Sequence, residues 1–177
     1  MKFHQNAAGA GPGPGDCWLT LRGLKTMELR MLRHAENATA VAEALSRHDR
    51  VRRVYFPGLA SHPGHDIARR QMTGFGGMVS FELEGTAEEA SAFTSSLTYF
   101  ALGESLGGVR ALVCLPCKMT HASIPAAERA KLGLSDTLIR LSPGCESPRD
   151  LVADLLNGLD RLGAATVHRG EPAAVGA

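Results

Sequence analysis

A chain of 177 residues, 44% hydrophobic and 21% charged, is long enough for one domain with its own core. A formal net charge of +1 argues against nucleic acid or an anionic membrane as the main partner, because both reward a basic face. No apolar run approaches the roughly 18 residues that cross a bilayer, and the polar, glycine-rich start does not read as a signal peptide. The expected location is therefore cytoplasmic.

Residues 1–15, rich in Gly, Ala and Pro, carry no apolar period and are expected to be poorly ordered. From Asp16 to about His48 the spacing predicts one long helix. Leu24, Met27, Met31, Ala35, Ala38, Ala42 and Leu45 form its apolar stripe. Arg30, Arg33, Glu36, Asn37, Glu43 and Arg47 form its solvated side. Such a helix, about 45 Å long at 1.5 Å per residue, exceeds what a small domain covers, so it either bends or needs a further partner. Val51–Phe56 reads as a strand ended by Pro57-Gly58. His62 and His65 follow in a turn and read as loop histidines, since two alone do not complete a metal site.

Asp66–Met72 is a short helix, and Gly74-Phe-Gly-Gly leads into an alternating strand, Met78–Leu83, with Val79, Phe81 and Leu83 on one face. Thr86-Ala-Glu-Glu89 is a capping box that opens a helix to about Leu97. Short strands at Thr98–Leu102 and Val109–Val113 flank the loop Glu104-Ser-Leu-Gly-Gly108. Ala126–Leu132 is helical and Asp136–Ser142 is the last strand. Ser147-Pro-Arg-Asp150 starts a helix with Leu151, Leu155, Leu159 and Leu162 inward. After Gly163 the period is lost, and residues 163–177 are expected to be a disordered tail.

The four cysteines (Cys17, Cys114, Cys117, Cys145) are too few for a disulfide scaffold. Cys114-Leu-Pro-Cys117 is formally a CxxC, but it has no second ligand pair and no helix start after it. No metal is expected. The sum is an α+β fold: mostly antiparallel strands with helices on one face, preceded by a long helix.

Several stretches, taken in order, resemble one family. They are Arg22-Gly-Leu-Lys-Thr26, Tyr55-Phe-Pro-Gly-Leu-Ala-Ser-His-Pro63, Arg70-Gln-Met-Thr-Gly-Phe-Gly-Gly-Met78, Glu104-Ser-Leu-Gly-Gly108, Met119-Thr-His-Ala-Ser-Ile-Pro125 and Leu132-Gly-Leu-Ser-Asp-Thr-Leu-Ile-Arg-Leu-Ser142. The family is that of the pyridoxal-phosphate (PLP) enzymes of cysteine and methionine metabolism, such as cystathionine gamma-lyase, cystathionine gamma-synthase and methionine gamma-lyase. The resemblance runs from Phe3 to Leu162. It implies the small C-terminal domain of a fold-type I PLP enzyme: a linking helix over 16–50 and a substrate-carboxylate-binding domain over 51–162.

The same resemblance implies that the Schiff-base lysine and the cofactor-holding residues lie upstream of the matched region. Lys2, Lys25, Lys118 and Lys131 are the chain's lysines, and none stands in a Ser-x-Thr-Lys context. No catalytic residue is therefore expected here, and the cofactor is expected only in the complete enzyme.

By spacing alone, Arg140 reads as a strand arginine in a surface ion pair. The resemblance matches it instead to the arginine that grips the substrate α-carboxylate, with Ser105 and Thr120 lining the pocket and Glu104 facing the distal part of the substrate. Arg110 and Cys114 stand where the family commonly has acids, and Pro143 removes an amide donor after the last strand. The expected partners are a sulfur amino acid and a cofactor domain or full-length subunit in a homo-oligomer. Two alternatives stay open: a non-catalytic truncated paralogue serving as an interaction partner, and one half of a split enzyme.

Overall fold

In the computed structural model, which describes residues 1–167, the alternating run after Gly77 forms β2 (Val79–Leu83), with Val79, Phe81 and Leu83 buried. β2 lies between β1 (Val51–Tyr55) and β5 (Leu138–Ser142), antiparallel to both. β4 (Leu112–Cys114) joins β5 antiparallel, and β3 (Ala101–Leu102) closes the edge parallel to β4. The sheet order is β1-β2-β5-β4-β3. The fold is mixed α/β with a mostly antiparallel five-stranded sheet.

Residues directly opposite in register share a face of the sheet. The pairs Phe81↔Ile139, Val79↔Leu141 and Val113↔Leu141 assemble the apolar face. The pairs Ser80↔Arg140 and Leu112↔Ser142 place Ser80, Arg140 and Ser142, beside Leu112, on the other.

Three helices close the apolar face. In α3 (Met27–Leu45), Ala38, Val41, Ala42 and Leu45 are buried. α5 (Ala87–Ser96) starts at the expected capping box, with Thr86 accepting from the Glu89 amide at 3.2 Å while the Glu89 carboxylate accepts from the Thr86 amide at 2.9 Å. Its Phe93 meets Phe81 edge to face, ring centroids 5.9 Å apart. α7 (Pro148–Val167) buries Leu151, Leu155 and Leu159. Each fully buried phenylalanine or leucine contributes about 2 kcal/mol of hydrophobic transfer. Gly77 is where the chain crosses α3: an added Cβ would stand 2.7 Å from His34 Cβ.

The long helix expected over 16–50 is two helices. α2 (Pro14–Leu24) ends at Lys25, and α3 begins after Thr26. The break falls in the uncovered part of the stripe. Only the second half of the stripe meets the sheet, whereas Leu24, Met27 and Met31 are 50%, 48% and 46% exposed. Periodicity reports which residues want cover, not where cover is. The solvated side is also corrected at one position, since Asn37 is fully buried. Within residues 1–15, expected to lack order, Lys2–Ala7 form the short helix α1, with no residue buried. α7 runs to Val167, past the expected start of the tail; residues 168–177 lie outside the described residues. Two short helices, α4 (His65–Gln71) and α6 (Ala126–Lys131), complete the chain. No helix among the described residues is long and apolar enough to cross a membrane.

Candidate functional site

β5 alternates, so Arg140 and Ser142 emerge on the face opposite the core. Both hold the glycine-rich loop after β3. Arg140 Nη2 donates to the carbonyl of Glu104 at 2.5 Å and to that of Ser105 at 3.2 Å. Ser142 Oγ accepts from the Gly107 amide at 2.9 Å. Gly107 sits at φ +72, a left-handed conformation that a side chain would strain. The loop is thus attached to β5 by its backbone, which leaves the Glu104 and Ser105 side chains exposed.

The guanidinium is not spent on an acid. Among the described residues no carboxylate pairs with Arg140, and its Nε and Nη1 make no hydrogen bond. A planar cation with free donors on one edge suits a carboxylate. Arg140 and the loop residues Glu104 and Ser105 therefore come together. Thr120 is engaged elsewhere, its hydroxyl 2.8 Å from His121 Nδ1 in the loop beyond Cys117. Cavities of about 270 Å³ along β1 and about 360 Å³ beside α6 are lined by none of these four residues.

The strand neighbour of Arg140 is Cys114. Its thiol is pushed up first by burial, with Glu104 adding to the rise and Arg140 opposing it. Cys117 is likewise raised, first by burial and then by Asp136. Both are held protonated, unlike a reactive thiolate. His65 Nδ1 lies 2.8 Å from the Pro57 carbonyl, and His62 Nδ1 accepts from the Gly64 amide at 3.1 Å, so both rings serve their own turn.

The turn after β5 carries residues that periodicity did not single out. His34 Nδ1 is 2.8 Å from the Pro143 carbonyl, and Asn37 Nδ2 donates to the carbonyls of Gly144 and Glu146 at 2.9 and 3.0 Å. The Glu146 carboxylate accepts from the Ala111 amide at 2.7 Å. The available signal was that His34 and Asn37 are three apart on α3, one turn below one another on the same side.

A model of the Cys/Met metabolism PLP-dependent enzymes matches residues 1–160. The chain belongs to this family. Cystathionine gamma-lyase of Dictyostelium discoideum is 55% identical over 161 residues, covering 91% of this chain and 42% of that protein. Cystathionine beta-lyase of Lactococcus lactis is 52% identical over 160 residues, with 90% and 42% covered. The crystal structure of cystathionine gamma synthase from Xanthomonas oryzae pv. oryzae in complex with cystathionine superposes with a TM-score of 0.85 at 54% identity, over 90% of this chain and 41% of that one. The chain thus spans about two fifths of the length of these relatives.

Membership in the family implies pyridoxal 5'-phosphate in the complete enzyme. All four lysines of this chain are exposed, and Lys131 is paired with Glu128 at 2.8 Å.

Proposed function

We propose that this chain is the substrate-carboxylate-binding, C-terminal domain of a PLP-dependent enzyme acting on cystathionine or a related sulfur amino acid, by carbon–sulfur elimination or γ-replacement. Arg140 binds the α-carboxylate. Ser105 lines the pocket and Glu104 faces the distal part of the substrate, while Thr120, held by His121 in the neighbouring loop, is assigned to the pocket by the family resemblance alone. The observation that carries the reading is the Arg140 guanidinium, oriented by two loop carbonyls and free of any acid among the described residues. That the relatives are cystathionine gamma- and beta-lyases supports the substrate class.

The cofactor supplies an electron sink for the substrate carbanion, and the reactive lysine comes from a part of the enzyme outside the matched two fifths. In this reading the chain does not catalyse alone and works against a cofactor domain or full-length subunit. Trp18, Leu21, Leu24, Leu29 and Leu32, each at least half exposed on α2 and the start of α3, support a protein surface as that partner.

Two measurements test this. Purified chain given PLP and then borohydride should show no single-lysine adduct by mass spectrometry; one specific adduct with activity on cystathionine refutes catalytic incompleteness. Titration with an amino acid, followed by the Arg140 Nε–H resonance, should show a carboxylate-dependent shift. Arg140→Lys should weaken that binding by about tenfold, because a point charge cannot replace the fork. Equal binding by the lysine variant refutes the carboxylate role.

A further inference from the structure

Beneath the turn after β5, α3 sets two buried polar side chains one helical turn apart, His34 at 2% exposure and Asn37 at 0%. A carbonyl oxygen only accepts, so the contact with Pro143 places the proton of the neutral His34 ring on Nδ1. Nε2 is then an acceptor. It lies 3.9 Å from Cys145 Sγ, within reach of the thiol proton. The two carbonyls bound by Asn37 belong to the residues on either side of Cys145, and the Cys145 amide donates to Val109 at 2.7 Å. The backbone on both sides of the sulfur is therefore fixed, with an oriented base beside it.

The other cysteines differ. Cys114 and Cys117 are buried. Cys17 is exposed, and its sulfur meets only the Pro12 carbonyl, at 4.0 Å. Cys145 alone combines partial exposure with an imidazole acceptor among the described residues. Around the same turn two acceptors, Asn37 Oδ1 and Glu146 Oε2, are left without donors.

We infer that Cys145 and His34 form a thiol-exchange site for small disulfides. The thiol passes its proton to His34 Nε2 and the sulfur attacks one sulfur of the disulfide. The S–S bond breaks, and the departing sulfur takes the proton back from His34. A mixed disulfide on Cys145 and one free thiol result, the small disulfide being the oxidant. This site is separate from the Arg140 carboxylate site and does not depend on it.

The experiment follows mixed-disulfide formation on the full chain with cystine, located by peptide mass spectrometry over time. Cys17 is the internal reference for an exposed thiol, and Cys114 and Cys117 report unfolding. Cys145 should react about tenfold faster than Cys17, as a base-paired thiol does relative to an ordinary one. His34→Gln, which keeps an N–H donor for the Pro143 carbonyl but offers no base, should bring Cys145 down to the Cys17 rate or below while Cys17 is unchanged. A native Cys145 no faster than Cys17 overturns the proposal by itself, and so does a folded His34→Gln protein with the ratio intact. Should that variant label Cys114 and Cys117, and so be unfolded, the native ratio alone decides.

Discussion

Replacing Gly144 by alanine tests how the turn after β5 is built. An added Cβ would press into the Glu146 Oε2 atom and the Val109 carbonyl, and would stand 2.5 Å from the Ala111 amide nitrogen. Ordinary contact starts at 3.4 Å, so two backbone segments have to part by about 1 Å. Parting them breaks the Cys145 amide bond to Val109, worth about 1 kcal/mol, and the Ala111 amide bond to the Glu146 carboxylate, worth about 2 kcal/mol for a charged acceptor. The expected loss is about 3 kcal/mol. With a urea m-value of about 2 kcal/mol/M, the unfolding midpoint should fall by about 1.5 M. Gly23→Ala is the control. The same methyl, on exposed α2 with nothing within 4 Å, should raise stability by about 0.5 kcal/mol through helix propensity. A Gly144→Ala midpoint within about 0.25 M of the native one would refute the reasoning, because it would mean the turn can move freely off β4.

Asp154, 7% exposed, accepts from the amides of Thr98, Tyr99 and Phe100, so Asp154→Ala orphans three donors. It should cost about 3 kcal/mol in a urea melt, and a loss under about 1 kcal/mol would deny it that role. Three groups govern alkaline stability, the Cys117 thiol, raised first by burial, acting in the same direction as the two tested here. The Cys114 thiol is raised above its ordinary 9.0 by burial, and the Tyr55 phenol above its ordinary 10.0 first by the hydrogen bond to Glu82 and then by burial. In each case the unfolded chain loses its proton first, so the stabilisation is complete below the ordinary value and is lost as pH rises through the folded one. Melting points should therefore fall from pH 9 upward, and less steeply in Cys114→Ala. The further fall above pH 10 should shrink in Tyr55→Phe. Identical profiles for variants and native chain would contradict the assignment.

The legible parts of this chain were those where one local rule suffices. The alternation of Val79, Phe81 and Leu83, the capping box at Thr86 and Glu89, and the leucines of α7 each rest on contacts a few residues apart, and each stands as read. The family was legible too, because ordered short words survive without any knowledge of packing. The break between α2 and α3 was not. An apolar stripe continues through Leu24, Met27 and Met31 whether or not a sheet lies beneath it, and here none does. Asn37 was misplaced for the complementary reason. Its polarity suggests solvent, and only the return of the chain 107 residues later supplies the carbonyl that makes its burial affordable.

Arg140 shows the same division within the site. Sequence and resemblance nominated it along with Glu104, Ser105 and Thr120. Which of these meet was decided by sheet register and by a left-handed Gly107 that brings the loop back to β5. The pairing of His34 with Cys145 lay beyond any local pattern, since the two are 111 residues apart. Sequence alone determined the core strand β2, the capping box of α5, the apolar face of α7 and the family, because these follow from neighbours along the chain. The tertiary structure decided which polar groups are buried, where the long helix breaks and which side chains share a site, because each depends on contacts between distant segments.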